Sequence, residues 1–219
     1  MNPEATALDR PAHLPPPAVP GAMHDLHVDG VRFVLYAREK QPVGPPVLLV
    51  HSINAAASAY EIRPIYEGLQ GRSVYTVDLP GYGRADRPDR VYRPPLMVAA
   101  IHAAVDWIRA RHEGAPVDAL ALSLSSEFLA RAATQRPDAF RTLALVSPTG
   151  LDGRRGSDGE TLAKPTLRAI VSCSWWGGGL FRGLTRPGVI RYFLRKTWGR
   201  KRIDEGLHEY CVATTRVPG

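Results

Sequence analysis

Residues Asp118–Ala133, with the sequence DALALSLSSEFLARAA, decide the fold because a buried strand gives way to a helix there within about three residues. Val117–Leu122 alternate loosely and are apolar enough for a buried strand. Further along, apolar residues recur at the spacing of one helix face, namely Phe128, Leu129, Ala132 and Ala133. The turn between strand and helix is therefore predicted to centre on Ser123.

A turn this tight favours a positive φ at Ser123, which strains a non-glycine residue by roughly 1–3 kcal/mol. It also needs small neighbours, and Ala121 and Ser125 meet that need. The geometry would lift the Ser123 hydroxyl clear of the sheet and aim the backbone N–H of Leu124 at a developing oxyanion. A second interpretation is that Ser123, Ser125 or Ser126 only caps the helix, since serine is a favoured N-cap residue.

The pattern A-L-S-L-S at residues 121–125 resembles the nucleophile elbow of the α/β-hydrolase family, which is usually G-x-S-x-G. In this chain Ala121 and Ser125 take the places of the two glycines. The resemblance implies that Ser123 is the catalytic nucleophile and that Leu124 is an oxyanion-hole residue.

A second family motif follows the buried strand Pro46–Val50, where the chain reads His51-Ser52-Ile53-Asn54. In the family this strand is followed by H-G, and a backbone N–H just beyond supplies the second oxyanion donor. The resemblance implies that Ile53 is that donor and that His51 and Ser52 belong to the active-site loop, with Ser52 in place of glycine. A plain strand-to-helix loop with a structural histidine is the other interpretation.

The third motif, Asp78–Pro88, reads DLPGYGRADRP and resembles the family's D-x-P-G-x-G-x-S loop, with Ala85 where serine is common. Gly81 and Gly83 could also belong to a dinucleotide fingerprint. That interpretation is poor, because the third glycine is absent and prolines crowd the loop.

The three motifs occur in the family's order, so the sequence predicts an α/β-hydrolase-type, mostly parallel sheet with flanking helices. It begins with a hairpin at Asp29-Gly30 and reaches a sixth strand that ends near Val146. The predicted organisation is a disordered proline-rich tail at residues 1–22, a core of six strands at residues 23–150 and a helical cap at residues 151–219.

The family places an acid and then a histidine after the nucleophile, and a histidine must take the serine proton. The one histidine after Ser123 is His208, which stands between Glu205 and Glu209 and is predicted to lie on the cap surface. Too little chain follows it for two more strands with their crossovers. We therefore expect a hydrolase truncated at its C-terminus, with impaired activity in this chain because the triad acid and histidine cannot be identified. The alternative is a non-catalytic, α/β-hydrolase-like binding protein or gene remnant.

Composition indicates where the protein is located and which kinds of partner it has. The chain has 219 residues, 44% of them hydrophobic, and neither a signal pattern nor an apolar run of about twenty residues, so a cytoplasmic protein without a membrane partner is expected. Its net charge of +7 comes with no nucleic-acid-binding motif, so no nucleic-acid partner is expected. Its two cysteines lack metal spacing, so neither a zinc site nor a disulfide framework is expected.

The resemblance requires no cofactor and no metal, and it implies an esterase-like reaction on a small molecule. An apolar acyl substrate is expected from the aromatic residues of the predicted cap, although they could equally serve its own packing. These residues are Trp175, Trp176, Phe181, Tyr192, Phe193 and Trp198. The bond type and the oligomeric state stay open.

Overall fold

A computed structural model of the chain describes residues 14–40, 44–149, 183–199 and 202–218. Its strands are β1 Ala22–Val28, β2 Val31–Arg38, β3 Val47–Val50, β4 Val74–Asp78, β5 Val117–Leu122 and β6 Phe140–Val146. Its α-helices are α1 Arg63–Gly68, α2 Pro94–Arg111, α3 Ser125–Gln135, α4 Pro187–Trp198 and α5 Glu205–Thr214. Short 3₁₀ turns at Ala59–Ile62 and Pro137–Ala139 precede α1 and β6.

The six strands form one sheet in the order β1-β2-β4-β3-β5-β6. Strands β1 and β2 form an antiparallel hairpin, and its turn residues Asp29 and Gly30 both have positive φ, 48° and 75°, as two-residue hairpin turns favour. Strand β2 runs antiparallel to β4, whereas β3 to β6 are all parallel. The predicted hairpin and the predicted mostly parallel sheet are both confirmed.

Strand β3 lies at the centre of the sheet and is buried along its whole length. Leu48 and Val50 face the core cluster formed with α2 and α3, whereas Val47 and Leu49 face a second cluster formed with the first 3₁₀ turn and α1. Helices therefore cover both faces, which is why this strand is continuously apolar rather than alternating.

The register of the parallel strands brings four loops to one edge of the sheet. Val50 near the end of β3 pairs with Val77 of β4 and with Ala121 of β5, and Ala121 pairs with Leu145 of β6. The loops that follow these strands therefore leave the sheet side by side, at the edge where open α/β sheets bind their ligands.

Strand β6 is an edge strand among the described residues, since it pairs there with β5 alone. Its side chains are largely exposed, and Leu143 and Val146 each expose 41% of their surface.

The N-terminal segment differs from the expectation of a disordered tail over residues 1–22. Ala18 and Val19 are buried in the core, and the carbonyl oxygen of Pro20 accepts a hydrogen bond of 2.8 Å from the Tyr66 hydroxyl. The expectation is therefore wrong for residues 14–22, because small apolar residues between prolines can pack while the proline carbonyls accept hydrogen bonds. Residues 1–13 lie outside the described part of the chain.

The C-terminal helices pack on each other and on the loop that follows β3. Ile190 of α4 meets Leu207 and Cys211 of α5 in a small apolar cluster. The Tyr210 ring of α5 stacks on Tyr60 at a centroid distance of 4.6 Å, so α5 rests on the first 3₁₀ turn. No helix in the described ranges has the length and apolarity needed to span a bilayer. Residues 150–182, with three of the six cap aromatics, lie outside these ranges.

Candidate active site

The turn between β5 and α3 has the strained geometry that the sequence predicts. Ser123 adopts a φ of 53°, in the left-handed region that non-glycine residues rarely occupy. Its backbone is fixed to the end of β6, because its N–H donates to the carbonyl oxygen of Val146 at 2.9 Å and its own carbonyl accepts from Thr149 at 3.3 Å. These bonds offset a strain of about 1–3 kcal/mol and hold the turn in place.

The serines of this turn do not cap the helix, so that interpretation is wrong. The N-cap position is Leu124, which has no side-chain cap. The Ser126 hydroxyl donates back to the carbonyl of Ala121 at 3.2 Å, and the buried Ser125 hydroxyl has no partner among the described residues. Ser123 is half-buried, and within the same residues its hydroxyl makes no hydrogen bond.

The loop after β3 is locked by the carboxylate of Glu61, which reaches it from the first 3₁₀ turn. The backbone N–H and the hydroxyl of Ser52 both donate to Glu61 Oε2, at 3.1 and 2.6 Å. The Asn54 side-chain amide donates to Glu61 Oε1 at 2.7 Å. Glu61 therefore holds the residues on both sides of Ile53. No local sequence pattern indicates this role, because the contact spans nine residues and depends on the loop conformation.

The two predicted oxyanion donors lie in neighbouring loops. Ile53 follows β3 and Leu124 follows β5, and these strands are paired partners in the sheet. Both side chains pack on the same core cluster, and neither backbone N–H has an acceptor among the described residues. An oxyanion hole requires two N–H groups without other acceptors. The catalytic role of both residues stays a prediction.

His51 has a structural position. Its ring is buried, Nε2 accepts a hydrogen bond from the Leu79 N–H at 3.1 Å, and Nδ1 lies 2.5 Å from the carbonyl oxygen of Ser52. This pattern places the proton on Nδ1 and leaves neither nitrogen free to accept another. His51 therefore joins the loop after β3 to the loop after β4.

Asp78, the first residue of the third motif, also links the loops that follow β3 and β4. Its buried carboxylate accepts from the backbone N–H groups of Ala59 at 2.8 Å and Arg84 at 3.0 Å, and from the Tyr36 hydroxyl at 2.8 Å. Burial, and then the adjacent carboxylate, raise the pKa of Tyr36. Gly83 has a φ of 50° and lies so close that a Cβ atom there would overlap the Asp78 carboxylate, which explains the glycine of the motif.

Two other histidines, one in α2 and one in α5, also contact backbone carbonyl oxygens. His102 Nε2 lies 3.0 Å from the carbonyl oxygen of Ala132. His208 Nε2 lies 2.9 Å from the carbonyl oxygen of Pro187, and its Nδ1 faces Arg191 at 3.4 Å. His208 is only 8% exposed, so the expectation of a surface histidine is wrong: the contact between α4 and α5 buries it.

A pocket of about 500 Å³ opens beside this site, between the loops that follow β3 and β4. Its walls are Ile53, Asn54, Ala55, Ala57, Gly81, Tyr82, Arg87, Pro88, Asp89, Arg90 and Tyr92. Ser123 is not a wall residue, so the link between pocket and nucleophile is Ile53. No cluster of three or more metal-ligand side chains occurs in the described parts of the chain.

Comparison with solved structures shows the same fold in several hydrolytic enzymes. A serine hydrolase involved in carbazole degradation superposes with a TM-score of 0.64 at 13% identity, over 89% of this chain and 64% of its own. A probable hydrolytic enzyme from Pseudomonas aeruginosa PAO1 gives 0.62 at 19% identity, over 90% of this chain and 60% of its own. A haloalkane dehalogenase from Agrobacterium tumefaciens C58 gives 0.55 at 19% identity, over 89% and 65%.

This chain thus spans about two thirds or less of the length of these three structures. No curated protein sequence matches it significantly. The family model for the alpha/beta hydrolase fold matches residues 45–188, a segment that holds β3 to β6 and all three loop motifs. With that match over more than half of its residues, the chain belongs to the α/β-hydrolase family.

Proposed function

We propose that this chain carries the nucleophile and the oxyanion donors of an esterase-like serine hydrolase that acts on a small, apolar acyl compound. The observation that carries the proposal is Ser123 itself, a non-glycine residue at a φ of 53° with a hydroxyl that has no hydrogen-bond partner among the described residues. Strain of this kind persists where the surrounding structure enforces it, and it clusters at functional sites.

In the proposed reaction Ser123 Oγ attacks the carbonyl carbon of the substrate and loses its proton to a general base. The carbonyl oxygen becomes an oxyanion that accepts hydrogen bonds from the N–H groups of Ile53 and Leu124. The tetrahedral intermediate then collapses, the protonated alcohol leaves, and water hydrolyses the acyl-enzyme. Relatives that open epoxides or displace halide use an aspartate at the elbow, and serine at position 123 disfavours those reactions.

A second candidate is a protein of this family that binds its ligand without turnover. The observation in its favour is that both ring nitrogens of His51 and of His208, and Nε2 of His102, have other partners among the described residues. A serine without a base is a weak nucleophile, so this candidate predicts a folded protein that does not react at Ser123.

Labelling with a fluorophosphonate probe separates the two candidates, because the probe phosphonylates an activated serine. We expect a mass increase on the peptide that contains Ser123, and no increase in the Ser123→Ala variant. Ser147→Ala is the matched control, since Ser147 also has a positive φ, 47°, at the end of the next strand, and it should label like the wild type. A folded wild-type sample without an adduct would contradict the proposal and favour the binding protein.

A further inference from the structure

The pocket beside Ile53 contains a guanidinium group that no carboxylate neutralises. Arg87 Nη1 donates to the carbonyl oxygen of Thr214 at 3.0 Å, and Nη2 donates to that of Gly83 at 3.2 Å. The Nε atom is buried without an acceptor, and Arg87 forms no ion pair with any described residue. Other arginines of the fold, such as Arg72 and Arg136, pair with aspartates.

Carbonyl oxygens satisfy N–H groups but carry no formal charge, so the charge of Arg87 remains in the pocket. Burial lowers the pKa of Arg87, although Asp78 opposes that effect from a distance at which it forms no ion pair. A half-buried cation without an ion-pair partner is a costly arrangement, and an anion that enters the pocket would offset its charge.

The remaining walls suit an organic anion better than a bare ion. Tyr82 and Tyr92 offer two aromatic rings, and Ala55 and Ala57 provide apolar surface on the other loop. The charged wall residues are Arg87, Arg90 and Asp89, of which Arg90 and Asp89 lie at the exposed rim. Two cations and one anion leave one net positive charge, which matches one carboxylate and falls short of a phosphate dianion.

We propose that this pocket binds a carboxylate of the substrate, so that the substrate is an acyl compound with an anionic group distant from the carbonyl that Ser123 attacks. The inference rests on the proposed function through Ile53, which is both a wall of the pocket and the proposed oxyanion donor. Arg87 donates to the carboxylate oxygens, while the tyrosine and alanine walls hold the carbon chain between the two ends.

Equilibrium binding to the Ser123→Ala protein tests the pocket without any turnover. The ligands are glutarate as its monomethyl ester, which carries one carboxylate, and the neutral dimethyl ester, both titrated by calorimetry. We expect the monoester to bind at least about tenfold more tightly than the diester, and Arg87→Gln to remove about tenfold or more of that affinity. Arg93→Gln, which removes the same charge from an exposed residue outside the pocket, should leave binding of the monoester unchanged.

Arg87 also donates structural hydrogen bonds to Thr214 and Gly83, which Arg87→Gln removes. A second variant therefore tests the pocket with these bonds in place. Asp89→Asn removes the one negative charge of the rim, and we expect it to tighten binding of the monoester by about two- to fivefold. Equal binding of the monoester and the diester, no response to Asp89→Asn, or tighter binding of inorganic phosphate would each overturn the inference. If the monoester binds as expected but fluorophosphonate does not label the wild type, the proposed function fails and the carboxylate pocket stands.

Discussion

The two ends of strand β5 differ in whether their polar side chains have hydrogen-bond partners. At its amino end the carboxylate of Asp118 accepts from Arg72 at 2.6 Å, from Arg141 at 2.8 and 2.5 Å, and from the Thr142 hydroxyl at 2.5 Å. At its carboxyl end Ser123 has a strained backbone and a hydroxyl with no hydrogen bond among the described residues.

The same contrast holds for neighbouring elements at the two edges of the sheet. At the amino edge the Tyr75 hydroxyl lies 2.7 Å from His112 Nε2, and the Arg111 guanidinium stacks on Trp107 at 3.3 Å. At the carboxyl edge the N–H groups of Ile53 and Leu124 lack acceptors in the described ranges. Paired groups stabilise one edge, whereas the other edge keeps strain and unmet donors, as ligand-binding edges of such sheets commonly do.

We expect the largest effect from Asp118→Asn, which removes the charged carboxylate at the amino end of β5. Asparagine keeps the shape but leaves Arg72 and Arg141 facing each other without a counter-charge. We expect the free energy of unfolding to fall by about 1–2 kcal/mol, a moderate loss because the Arg141 side chain is half exposed and water screens the pair. Urea denaturation at pH 7 measures the change.

The pH dependence of that difference is a further check on the same variant. The arginines hold the pKa of Asp118 well below its usual range, so the folded state favours the ionised carboxylate. The stabilisation is therefore complete above the unfolded pKa of about 4, and it is lost as the pH falls toward the folded pKa. The gap between wild type and Asp118→Asn should narrow below about pH 4. Asp106→Asn is the control, because its exposed pair with Arg136 should contribute less than about 1 kcal/mol.

The second prediction concerns the strained carboxyl end of β5 and uses the substitution Ser123→Gly. Glycine adopts a φ of 53° without steric cost, so this substitution should stabilise the fold by about 1 kcal/mol while it removes the reactive hydroxyl. Thermal denaturation should show the rise, and fluorophosphonate labelling should show the loss. Ser147→Gly, at a φ of 47°, should stabilise by a similar amount and keep the label. A loss of stability in both variants would mean that neither turn is left-handed in solution.

Sequence patterns predicted the parts of this site that depend on local structure. The apolar run of β5, the helix pattern of α3 and the small residues Ala121 and Ser125 together placed Ser123 in a strained turn, where the structure has it. The hairpin turn at Asp29-Gly30 is likewise predictable, because the type of a turn depends on adjacent residues.

The contacts that sequence reasoning missed join residues that are distant along the chain. Glu61 reaches back to Ser52, His208 is covered by Pro187, and the Pro16 carbonyl accepts a hydrogen bond of 2.9 Å from Tyr210. Periodicity reports which face of an element is buried, but it does not specify which side chain will reach a given carbonyl or carboxylate. The lone charge of Arg87 belongs to the same class, because its partners come from the loop after β4 and from the C-terminal end of α5.

We expect the smallest change in stability from substitutions of two adjacent serines at the start of α3. The buried Ser125 hydroxyl has no hydrogen-bond partner among the described residues, whereas the Ser126 hydroxyl donates to the Ala121 carbonyl at 3.2 Å. Ser125→Ala removes a desolvated group and should stabilise the fold by up to about 0.5 kcal/mol, while Ser126→Ala should cost about 1 kcal/mol. Opposite signs in urea denaturation would show that Ser125, like Ser123, is kept at a cost to stability. If both variants lose stability equally, the Ser125 hydroxyl has a partner in solution, and the turn stores its strain at Ser123 alone.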